Sequence, residues 1–135
     1  MTVPLSRSLV FVWGAVIAGA GLLIHATWDV VSHPVAMEWL VLLLLTVVSG
    51  WATLRIPAMP ISFSISDTFS IIAALLVGPS AGAITAALDG LVLSYRLVND
   101  RRSLHRVLFN MATPAIATWA AAHVFRALAG PSPVL

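Results

Sequence analysis

Apolar and polar positions divide the chain into five long apolar runs separated by short polar breaks. Residues 9–28 are mainly apolar, enough to cross a hydrocarbon core of about 30 Å at about 1.5 Å per residue. The run is too long for a cleaved leader and lacks a small-x-small cleavage site before a polar stretch. Asp29, His33 and Pro34 interrupt it. Glu38 and Trp39 open a second run, whose centre (40–48) is aliphatic except for Thr46 and is expected to face lipid. Trp39 and Trp51 lie near its ends, where indole rings suit the headgroup region.

Pro57 and Pro60 then stop helix continuation. From 61 to 70 the period changes: Ile61, Ser62, Phe63, Ser64, Ile65, Ser66 alternate apolar and polar. In water that period suggests a strand. In a bilayer an open strand leaves backbone groups unpaired, so two readings stand: extended chain at the interface, or a polar helix start buried in protein. Asp67 is placed to cap the helix that follows. Gly78-Pro79 ends that helix and starts the next, and Pro114 predicts a kink in the last. The expected fold is an all-α polytopic membrane helix bundle, a single transmembrane domain over 1–135. It has about five transmembrane helices (9–28, 38–54, 63–77, 79–98 and 104–128) and an irregular segment before the third.

Composition strengthens the membrane reading. Of 135 residues, 60% are hydrophobic and 9% charged, against about 25% charged in soluble domains. All seven cations are arginines, and six (Arg7, Arg55, Arg96, Arg101, Arg102, Arg106) fall on one side of a five-span topology, with Arg126 on the other. The positive-inside rule puts the N-terminus in the cytoplasm and the C-terminus outside. A re-entrant hairpin of helices 3 and 4 is the alternative. So few arginines, placed at the ends of apolar runs, mark topology and no nucleic-acid footprint. Without cysteine the chain has no thiol nucleophile or Cys-based metal site. The histidines lack metal-ligand spacing, and no paired-carboxylate or Ser-His-Asp arrangement can be drawn, so no catalytic or metal-binding residue is expected.

The stretch 78–90 stands out. Gly78, Gly82, Ala86 and Gly90 recur every four residues and read as one small face for close helix packing or a homodimer contact. Asp89 lies about ten residues into its helix, near mid-membrane, where a bare carboxylate costs about 2.5–3.5 kcal/mol unless it faces protein or water. It either hydrogen-bonds a neighbouring helix, through a serine or Asn110, or binds a ligand. Antiparallel packing would bring Asp67 level with Arg96, as a salt bridge or a polar site. The ligand-binding candidates are therefore Asp67, Asp89, Arg96 and Asn110. No cofactor is expected. His25, three residues before Trp28, is faintly similar to the histidine placement of antenna polypeptides, and pigment ligation by His25 is a remote alternative to an ordinary hydrogen bond.

Three segments carry a resemblance: Ile65-Ser66-Asp67-Thr68-Phe69, then Leu76-Val77-Gly78-Pro79-Ser80-Ala81-Gly82 with Ala86-Ala87-Leu88-Asp89, and Arg106-Val107-Leu108-Phe109-Asn110-Met111-Ala112. Over residues 57–129 the chain resembles the N-terminal multi-helix membrane sensor regions of bacterial HD-GYP or GGDEF signalling proteins. The Gly-Pro…Gly…Asp element is also similar to the substrate-binding subunits of energy-coupling-factor transporters. The resemblance implies a bacterial inner-membrane sensory or ligand-binding module without catalysis of its own. The expected environment is the lipid bilayer together with another membrane protein or a second copy. The sensors carry cytoplasmic output domains; with a C-terminus outside, this chain is expected to be either a fragment or a stand-alone unit. The alternatives are a small accessory subunit of a larger membrane complex, pigment-binding or energy-transducing, and a transporter substrate-binding component.

Overall fold

A computed structural model describes residues 5–33, 37–51, 65–97 and 104–130. Among them are five α-helices and no strand: α1 (Leu5–Ser32), α2 (Met37–Trp51), α3 (Ser66–Leu76), α4 (Pro79–Leu97) and α5 (Leu104–Ala129). Of the 61–70 stretch, residues 61–64 lie outside the described set; from Ser66 onward it is helical, with Ser66 and Ser70 buried. The buried helix start is thus the reading that applies there. Asp67 is not the cap. Ile65 holds that position without a side-chain cap bond, and Asp67 sits inside the first turn, where a carboxylate still suits the helix dipole. Helix α5 continues through Pro114.

The helices join tightly at one end. Val77 and Gly78 both donate their N–H to the Ala73 carbonyl, and Gly78 turns the chain with φ 150, which a side chain would resist. Pro79 then starts α4, where its missing N–H costs nothing.

Helix α4 is the axis. It packs most extensively on α5 and also touches α1, α2 and α3, whereas α1 and α2 make no close approach to each other among the described residues. Within 78–90 every residue is buried except Ile84 and Leu88. Each residue turns the helix by about 100°, so partners can be assigned by face. Gly82 meets Ala74 of α3, Gly90 meets Asn110 of α5, Ser80 meets Asp29 of α1 and Thr85 meets Trp39 of α2. The small stripe is therefore not one face for one partner. Four residues overshoot a turn by about 40°, so from Gly82 to Gly90 the stripe rotates from α3 to α5.

The interior is made of small side chains. Among the described residues the buried hydrophobics are Val16 and ten alanines, and the largest fully buried side chains are Thr46, Thr85, Ser66 and Ser94. The large apolar residues point outward: Phe11 is 70% exposed, Ile24 72%, Trp28 74%, Leu44 62% and Leu128 84%. Trp39, in the first turn of α2, turns its indole toward α4 and bonds Thr85. Among the described residues two helices, Arg7–Ser32 and Leu104–Ala129, are long and apolar enough to cross a membrane, and only 17% of the apolar 18-residue stretch of each is buried, unlike the core helix of a soluble domain.

Candidate functional site

The polar groups of the interior collect at two levels of α4. The deeper level is built on Asp89. Helix α3 has 11 residues and rises about 16 Å from the Gly78 turn, so its N-terminus arrives halfway along α4. Asp89, ten residues after Pro79, stands about 15 Å from the same turn. The two meet: the Ser66 side chain hydrogen-bonds the Asp89 carboxyl, and the Asp67 side chain lies within hydrogen-bonding reach of it. Asp89 is 9% exposed and Ser66 is fully buried. On the third side stands α2. Gly50 has no side chain, and Asp89 Oδ1 lies 3.5 Å from where a Cβ would be.

Arg96 closes this corner. Its Nη1 donates to the Gly50 carbonyl at 2.6 Å, tying the end of α4 to α2. The expected Asp67–Arg96 ion pair is not formed among the described residues. Arg96 follows Asp89 by seven residues, two helical turns, and shares its side of α4. Asp67, by contrast, is held at the Asp89 level.

Asn110 belongs to a different place. Its Nδ2 donates to Ser94 Oγ at 3.1 Å, and that hydroxyl donates to the Gly90 carbonyl at 2.8 Å. The backbone completes the lock. Pro114 has no N–H to offer the Asn110 carbonyl four residues back, and this oxygen rests against Gly90, where any Cβ would overlap it. Of the four ligand-binding candidates, the fold brings Asp67 and Asp89 together and sets Arg96 nearby. Asn110 lies across α4, in the contact with α5.

A second polar level lies at the Gly78 end. Ser80 Oγ donates to Asp29 Oδ2 at 2.6 Å, and Asp29 Oδ1 is 3.3 Å from His33 Nδ1. Trp39 Nε1 donates to Thr85 Oγ1 at 3.2 Å, and Thr85 donates onward to the Ala81 carbonyl at 2.8 Å. Sequence reasoning missed the Ser80–Asp29, Trp39–Thr85 and Arg96–Gly50 contacts, because each joins residues 46 or more apart. Ser66 was legible as one of the serines that could reach Asp89. His25, the pigment alternative, is exposed on α1.

Chemically, the Asp89 level offers two carboxyls and a hydroxyl, all hard oxygen donors. Two carboxyl groups in contact suit a cation bound between them. No group of three or more His, Cys, Asp or Glu with metal-binding geometry occurs among the described residues. The chain matches no protein-family model, no curated protein and no solved structure.

Proposed function

We propose that the chain is a multi-pass membrane module that senses or binds a small cationic ligand, a proton included, at Asp89 and Asp67. It has no catalytic activity of its own. The observation that carries the reading is the end of α3 halfway along the bundle, with Ser66 and Asp67 against buried Asp89. Helices that stop inside a membrane mark ion and substrate sites, because irregular backbone there is tolerated only inside protein or beside a cavity.

Support for insertion comes from the inverted packing. A bilayer gives large apolar side chains no reason to go inside, so helices associate through small residues and hydrogen bonds. An interior of alanine, serine and threonine under a coat of Leu, Ile, Phe and Trp fits lipid as the solvent. The proposed topology has five crossings in a bacterial inner membrane, with the N-terminus cytoplasmic and the C-terminus outside. Helix α3, with 11 residues, is the helical half of the third of these crossings. Ligand occupancy at Asp89 would then shift α4 against α5 and move the arginine-rich connection between them.

The test is thermal unfolding of the purified chain in nanodiscs against pH and a panel of sodium, potassium, magnesium, calcium and methylammonium. A ligand at 100 times its Kd adds about 2.7 kcal/mol. One member should raise the midpoint of the natural protein and leave Asp89→Asn, still inserted, unmoved. If no member acts, or if Asp89→Asn responds equally, the acid pair is only a helix joint.

A further inference from the structure

Among the described residues, one side of α4 is left without a partner helix and defines a second site. Ile84, Leu88, Leu91 and Tyr95 follow each other at spacings of four, three and four residues and so form a single line along the helix. Ile84 and Leu88 are the only residues of 78–90 left partly exposed, and Tyr95 is 54% exposed. The reason is the gap between α1 and α2, which flank α4 without meeting each other among the described residues. Near the Gly78 end, Ser80–Asp29 ties α4 to α1 and Trp39–Thr85 ties it to α2. The line starting at Ile84 runs from there toward Arg96.

We propose that this groove holds one acyl chain of an anionic phospholipid from the arginine-rich side of the membrane. The inference rests on the membrane reading above. Length supports it: the twelve residues from Ile84 to Tyr95 rise about 16 Å, about half of a hydrocarbon core of about 30 Å and so room for one acyl chain. Charge supports it at the mouth. Arg96 adjoins Tyr95 and is exposed. Its bond to the Gly50 carbonyl uses one of five guanidinium donors. Arg7, also exposed, stands in the first turn of α1 at the same end. Guanidinium groups suit phosphate because their paired donors match its oxygens. The end near Ser80 carries Asp29 and, beside Gly78, Arg126, so its cation is offset by a carboxylate and the preference has a direction.

The experiment is native mass spectrometry of the chain loaded with phosphatidylglycerol or phosphatidylcholine, alongside a photoactivatable benzophenone residue at position 88. Phosphatidylglycerol should be retained at least about fivefold better, and Arg7→Gln should remove most of that preference, as expected for about 1 kcal/mol per basic contact. Leu88→Trp fills the groove and should abolish retention of both lipids while helix content by circular dichroism stays unchanged. The position-88 probe should give a phospholipid adduct. Equal retention of the two lipids overturns the proposal, as does an adduct to a second copy of the chain or to another protein. A chain that alkaline washing strips from membranes refutes the membrane reading as well; an inserted chain without lipid preference refutes the groove alone.

Discussion

Replacing Gly90 with alanine probes the tightest contact of the axis helix. The added methyl would overlap the Asn110 carbonyl oxygen and stand 2.9 Å from its carbon and 3.3 Å from Met111 Cα. All three are backbone atoms, so no rotamer change relieves the clash; α4 and α5 must separate. Overpacking of this kind costs about 1–3 kcal/mol, and rigid neighbours favour the upper half of that range. Separation also stretches the Asn110–Ser94 bond, worth about 0.6 kcal/mol in a membrane bundle. Against this, alanine gains about 1 kcal/mol over glycine in helix propensity. The net expectation is a loss of about 1.5–2.5 kcal/mol, roughly a ten- to seventyfold fall in the folding equilibrium. Reversible unfolding in mixed micelles with increasing dodecyl sulfate measures it. A Gly90→Ala chain as stable as the natural one, or more stable, would refute the assignment of Gly90 to a backbone-to-backbone contact.

Gly21 is the matched control: a Cβ there meets nothing within 4 Å, so Gly21→Ala should be neutral or gain up to about 1 kcal/mol in the same titration. Trp39→Phe removes the indole donor to Thr85 and should cost about 0.6 kcal/mol, with tryptophan fluorescence losing one of its two half-buried contributors, Trp39 and Trp119.

Much of this arrangement was readable in the residues. The apolar runs announced five helices, as found among the described residues, because an apolar segment bounded by Pro, Gly and charge leaves few alternatives. The centrality of 78–90 was legible in its small residues, which alone let four neighbours approach. Two features were not. Which neighbour each small residue meets depends on rotation along the helix, and a spacing of four does not hold one face over twelve residues. The partner of Arg96 depended on depth: an ion pair with Asp67 looked natural on sequence because both flank apolar runs. Helix α3 is short, however, and delivers Asp67 to the level of Asp89 instead. Arg96 then serves the Gly50 carbonyl, a backbone group with no signature in sequence.

The account stands on α4 as the axis of a bundle inserted with its arginine-rich ends in the cytoplasm, and single-cysteine labelling tests this most directly. The chain contains no cysteine, so each introduced thiol reports alone. His33→Cys, at the Gly78 end, should react with a membrane-impermeant maleimide in intact spheroplasts, and Ser8→Cys only after permeabilisation. Labelling of Ser8→Cys from outside with protection of His33→Cys, or equal labelling of both before permeabilisation, would contradict the account.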